Sequence, residues 1–73
     1  MDGPVQPELF FADLFNSRAA RSGAVIRRKV RDVERVVGRD MFVAEPKRRG
    51  FTSVENAGQF VIFCNAEPIR RVT

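Results

Sequence analysis

The sequence predicts one small α+β domain, with helices in its N-terminal part and a β-hairpin at its C-terminal end. Three observations predict this: the chain has 73 residues, apolar residues recur at helical spacing through its middle, and two strand-like runs follow, separated by Ala57 and Gly58. This length allows one domain and not two. We divide the chain into a flexible arm, residues 1–7, and a folded domain, residues 8–73. Domains this small bury little surface, which favours self-association.

The first helix is predicted to begin near Pro7. Proline is tolerated in the first turn of a helix, and Glu8 complements the helix dipole there. The small and polar residues of 17–23 are predicted to end it. Its broad apolar face consists of Leu9, Phe10, Phe11, Leu14, Phe15 and Ala19.

The second helix is predicted to run from Ser22, as its N-cap, to Val37, with Gly38 as its stop. Its apolar residues recur at i, i+4, i+7 and i+11, which is the spacing of a single helical stripe. They are Ile26, Val30, Val33 and Val37. The opposite side of that helix is predicted to carry a positive stripe formed by Arg27, Arg28, Arg31 and Arg35.

Residues 39–50 allow two interpretations, a short or kinked helix and a short strand. Asp40 is a suitable helix cap, and Gly50 after three basic residues is a suitable stop. Pro46 opposes a regular helix because it lacks a backbone donor and restricts the residue before it. The alternative is a strand over residues 41–45 followed by a turn. We favour the helix.

The C-terminal part has the pattern of a β-hairpin, with strands over residues 51–56 and 59–65. Gly58 supplies the positive φ angle that a tight hairpin turn needs. The second strand contains an unbroken apolar run, so we expect both of its faces to be buried. One face would cover the helices, and a homodimer is one way to cover the other. Cys64 lies in this run and is predicted to be a structural thiol.

The charge of the chain is strongly uneven around a net value of +4. Residues 1–17 carry three acidic residues and no basic one, whereas residues 18–49 carry eleven basic and four acidic residues. Most of the basic residues are arginines, whose planar guanidinium groups bind phosphate and carboxylate in a bidentate manner. We therefore expect nucleic acid, DNA or RNA, or an acidic protein surface as the partner.

The composition excludes several classes of function. The chain has no histidine and one cysteine, so it has no catalytic histidine, no Cys/His zinc site and no internal disulfide. No phosphate-binding glycine motif or calcium-binding spacing occurs. We expect a protein that is not an enzyme and has no cofactor. The sequence has no secretory signal and no run long enough to span a membrane, and its lone cysteine suits a reducing compartment, so we expect a cytoplasmic location.

The order of the predicted elements resembles that of a winged-helix domain. The segment RRGFTSVENAGQFVIF is similar to the end of a helix followed by a wing, and this resemblance implies nucleic-acid binding. The glycine-aromatic step before the hairpin also resembles HicA-type toxins, but their catalytic histidine has no counterpart here, so nuclease activity is not implied. We expect phosphate contacts from Arg27, Arg28, Arg31, Arg35, Lys47, Arg48 and Arg49.

The alternative function is a protein-interaction module or homodimeric adaptor that uses the Phe-rich first helix. The residues Gln6, Leu9 and Phe11 in QPELFF are similar to the QxxLxF pattern of bacterial sliding-clamp ligands. In the competing interpretation, which we favour, Leu9 and Phe11 pack against the second helix. The candidate protein-binding residues are Gln6, Leu9, Phe10, Phe11 and Phe15.

Overall fold

The computed structural model describes residues 6–73 and contains, within that range, four helices and three strands. The elements are α1 (Pro7–Phe15), α2 (Arg18–Arg21), β1 (Val25–Lys29), α3 (Val30–Val36), α4 (Arg39–Arg48), β2 (Thr52–Asn56) and β3 (Gln59–Phe63). The predicted α+β class, with N-terminal helices and a C-terminal hairpin, is confirmed. Most of the predicted arm lies outside the described residues. Across residues 6–73, no helix has the length and apolar character needed to cross a bilayer.

The first helix begins where the sequence predicts it. Gln6 is extended and Pro7 occupies the first turn of α1. Asn16 ends this helix, and Ser17 then caps the short α2 by accepting a hydrogen bond from the Ala20 backbone N–H at 3.3 Å. The chain therefore ends α1, forms the four-residue α2 and then enters the sheet at β1.

The predicted second helix is wrong over its first half. Val25–Lys29 is a strand, β1, and the helix that follows it, α3, spans Val30–Val36 only. Ser22 ends α2 instead of capping a longer helix. The β-branched pair Val25 and Ile26 suits a strand, and β3 provides the partner strand for the backbone of this segment.

Residues 39–48 form a helix, α4, as we favoured, with Pro46 inside it. Gly38, and not Asp40, is its N-cap, and its φ of 86° and ψ of 155° lie in a region that essentially only glycine adopts. Pro46 lies near the C-terminal end, where its ring is fully buried. Gly50 follows with a φ of 81° and ends the helix as predicted.

The sheet is antiparallel with the strand order β1-β3-β2, so β3 is its central strand. The turn between β2 and β3 is formed by Ala57 and Gly58, whose φ angles of 50° and 74° match the tight turn predicted. Strand β1 is the element that the sequence did not predict. It pairs with β3 along its whole length, from Val25 opposite Phe63 to Lys29 opposite Gln59.

The core lies between the helices and one face of the sheet, which we call the inner face. Phe60 and Ile62 of β3, together with Ile26 of β1, point into it. Phe42 of α4 is 0% exposed, and the centroid of its ring lies 5.0 Å from that of Phe60. The prediction that β3 is buried on both faces holds only in part: on the opposite face Val61 is 6% exposed, but Gln59 and Phe63 are half-buried.

Candidate nucleic-acid interface

The helices α3 and α4 form a pair joined by Val37 and Gly38. Val33 anchors α3 in the core, and Phe42 and Pro46 anchor α4. Helix α4 nevertheless exposes seven of its ten residues. One groove, of about 450 Å³, separates it from α1, and another, of about 420 Å³, separates it from β2. The helix is therefore a ridge, with open space on both sides.

Arg39 connects the helix pair to the hairpin. Its guanidinium donates from Nε to Glu34 of α3 at 3.1 Å, and from Nη1 and Nη2 to the two carboxylate oxygens of Glu55 of β2 at 2.9 and 3.3 Å. The same guanidinium lies 5.2 Å from the centroid of the Phe60 ring. These contacts raise the pKa of Arg39 and lower the pKa of Glu55. The Arg39 guanidinium is thus paired with groups of the protein itself. The sequence did not indicate this pairing.

The basic cluster at the end of α4 is partly neutralised by Glu45. The Glu45 carboxylate accepts hydrogen bonds from Arg48 at 2.6 Å and from Arg49 at 2.9 Å. The hydrogen bond from Arg48 is the main cause of the lowered pKa of Glu45. Arg49 also lies over the Phe15 ring, at 4.4 Å from its centroid. Lys47 makes no ion pair with the other described residues, whereas Arg48 and Arg49 are both paired with Glu45.

The four arginines predicted to share one helix face are separated by the fold, so that prediction is wrong. Arg27 lies on β1 opposite Val61, on the sheet face that points away from the helices. Arg28 lies beside α1, where it lines a shallow pocket together with Asp13. Only Arg31 and Arg35 remain together, on the exposed side of α3. The reason is that a strand places successive residues on opposite faces.

The aromatic residues of α1 serve the core of the protein itself. Phe11 and Phe15 are 7% and 8% exposed, and Phe11 contacts the Phe42 ring of α4 at 6.2 Å between centroids. Phe10 is half-buried, whereas Gln6 and Leu9 are exposed, Leu9 at 65%. Phe11 is thus a core residue, as we favoured, but its ring contacts α4 and not the predicted second helix, and Leu9 is not in the core. The QxxLxF-like residues are not presented together on one surface.

Cys64 lies in the core at 4% exposure, as predicted for a structural thiol. Burial raises its pKa, which keeps the sulfur in the protonated, weakly nucleophilic form. Its Sγ is 3.9 Å from the Ile62 carbonyl oxygen, a weak contact that adds to its packing role.

No protein-family model matches the chain, and no curated protein or solved structure is significantly similar to it.

Proposed function

We propose that this protein is a cytoplasmic, non-enzymatic nucleic-acid-binding protein with a regulatory role, and that it binds through α3 and α4. The main support for this proposal is the exposed ridge of α4, which follows α3 after a short turn containing Gly38. The hairpin β2–β3 comes next in the chain, and β1 joins it as a third strand. This order resembles a winged-helix domain, with α4 in the place of the recognition helix and the hairpin as the wing.

Duplex DNA is the ligand that the ridge suits best. The major groove, about 12 Å wide, admits one α-helix. The exposed side of α4 carries Ala44, which permits close approach, and Lys47 and Arg48 near its end. We assign Arg31 and Arg35 of α3 to contacts with the phosphate backbone. Such contacts position a protein on DNA without reading the base sequence.

The test is fluorescence anisotropy of labelled duplex DNA at several salt concentrations. We expect affinity to fall steeply with salt, because each phosphate contact contributes about 0.9 to the slope of log affinity against log salt concentration. The double variant Arg31→Glu/Arg35→Glu should lose duplex binding and keep the thermal stability of the wild type.

The matched control is Arg18→Glu/Arg21→Glu, because both residues are exposed on α2 and the net charge falls from +4 to 0 in either double variant. Equal loss of binding in the two variants would mean that total charge, and not the α3 surface, governs affinity. Duplex binding by the wild type that does not vary with salt would also contradict the proposal.

A protein-interaction role for α1 is the second candidate. The exposed Leu9 and the groove between α1 and α4, which Met41 lines at 46% exposure, favour it. The buried Phe11 and Phe15 cannot take part unless the core opens. Leu9→Ala and Met41→Ala should therefore fail to capture, in pull-down experiments, a partner that the wild type captures through this surface. The Arg31→Glu/Arg35→Glu variant is the control and should still capture it.

A further inference from the structure

The face of the sheet that points away from the helices, which we call the outer face, is made of nine side chains in three rows. The pairing of the strands sets these rows as Val25–Phe63–Thr52, Arg27–Val61–Val54 and Lys29–Gln59–Asn56. None of the nine residues is acidic, and two are basic. Val25 and Val54 are each 41% exposed and Val61 between them is 6% exposed, so this face is open to solvent around a buried centre.

Phe63 is the unusual residue of the outer face. The chain has seven phenylalanines, and six of them belong to the core cluster or pack against it. Phe63 does neither, although it lies on the central strand. Its neighbours across the strands are Val25 and Thr52, so its ring has small side chains on both flanks. Phe63 is half-buried, so part of its side chain is open to contact with a flat ligand.

The cations of the outer face lie at a suitable distance from that ring. Arg27 is a diagonal neighbour of Phe63 across the β1–β3 pair, and such neighbours lie about 7–8 Å apart. Lys29 follows on the same edge of the sheet, two residues further along β1. Within residues 6–73 neither cation forms an ion pair. The face thus combines an aromatic platform with a basic edge.

We propose that the outer face binds single-stranded nucleic acid. One base stacks on the Phe63 ring, with Val25 and Val54 beside it, and the backbone phosphates follow Arg27 and Lys29 along β1. Aromatic platforms beside a positive edge are the usual means of binding single strands, because every base has a stacking face and the bases of a single strand are accessible. This site lies on the opposite side of the sheet from α3 and α4, so it is separate from the surface proposed for duplex DNA.

The charge of the outer face argues for this occupant over a second copy of the chain. Two copies joined through this face would bring together surfaces that hold two cations each and no acidic residue. A polyanion instead neutralises Arg27 and Lys29, and it releases counterions when it binds.

The experiment measures the anisotropy of labelled oligothymidylate and oligouridylate with the wild type and three variants. Phe63→Leu keeps an apolar side chain but no ring face, and we expect it to weaken binding about 5- to 150-fold, the range for the loss of one stacked base. Phe63→Tyr should retain binding. Arg27→Gln should weaken binding and lower the salt slope by about 0.7, the contribution of one phosphate in a single strand.

The duplex probe separates this proposal from the proposed function. Phe63→Leu should leave duplex binding unchanged, and Arg31→Glu/Arg35→Glu should weaken single-strand binding no more than the charge-matched Arg18→Glu/Arg21→Glu does. The proposal is overturned if the wild type does not bind the single strands, or if Phe63→Leu binds them as the wild type does. It is also overturned if light scattering shows that the wild type is a dimer and that Phe63→Leu makes it a monomer, because the face is then occupied by a second copy.

Discussion

Replacing Phe42 with alanine tests whether one side chain holds the helical layer on the sheet. Phe42 is 0% exposed, and its ring lies 5.0 Å from that of Phe60 and 6.2 Å from those of Phe10 and Phe11, between centroids. It therefore joins α1, α4 and β3. Truncating a buried phenylalanine to alanine costs about 3–5 kcal/mol. We expect the upper half of this range, because three aromatic contacts disappear together.

That cost is large beside the total stability of the domain. At about 0.05–0.15 kcal/mol per residue, a chain of 73 residues has a free energy of unfolding of about 4–11 kcal/mol. Phe42→Ala should therefore lower the urea midpoint by about 4–5 M for a slope near 1 kcal/mol/M, and it should be unfolded without urea if the wild type has only about 4 kcal/mol. Phe42→Leu, which retains more of the volume, should remain folded with a loss of about 1.5 kcal/mol, or about 1.5 M in the urea midpoint for a slope near 1 kcal/mol/M.

The control lies on the same helix. Val43 is 41% exposed, so Val43→Ala removes a smaller apolar group from the surface of α4 and should change the free energy of unfolding by about 0.5 kcal/mol or less. If Phe42→Ala cost less than about 1 kcal/mol with an unchanged urea slope, Phe42 would not be the centre of the core.

Three further predictions follow from the backbone, the ion pairs and the thiol. Gly38→Ala should cost about 1–3 kcal/mol in urea unfolding through backbone strain alone, because no atom lies within 4 Å of the added Cβ; an unchanged midpoint would contradict this. Arg39 lowers the pKa of Glu55, so their pairing stabilises the fold above the ordinary carboxyl pKa and is lost as the pH falls through the lowered value. The difference in melting temperature between the wild type and Arg39→Gln should therefore shrink on acidification, and a constant difference would refute the pairing. Cys64 should react slowly with iodoacetamide in the native protein and rapidly in urea; equal rates would show that the core is open.

The sequence predicts which residues are buried better than it predicts the geometry that buries them. Ile26 and Val33, taken as one helical stripe, are 4% and 2% exposed, and Val30 and Val37 pack against the same core. Their spacing is compatible with a strand that runs directly into a helix, because Ile26 faces the core from β1 while the other three face it from α3 and the turn after it. Periodicity over so few residues does not distinguish the two arrangements.

The interface was less predictable than the fold, because its charges are set by contacts distant in sequence. Arg39 meets Glu55 across 16 positions, and no local pattern indicates this pair. Arg48 and Glu45 are i, i+3 neighbours on one helix, and this spacing alone predicts that they pair. The separation of Arg27 from Arg31 follows entirely from the strand that was not predicted.

The central position of β3 determines when this chain can fold during its synthesis. Strands β1 and β2 do not pair with each other, and each of them depends on β3, the last regular element of the described chain. While the ribosome is still translating β2, the nascent chain has no sheet on which its helices can pack. Strand β1 stays unpaired until β3, which follows α3, α4 and β2 in the chain, has been synthesised. We expect ribosome-bound chains stalled at Gly58 to be cleaved readily by protease and longer released chains to resist, so that folding follows translation as one late event.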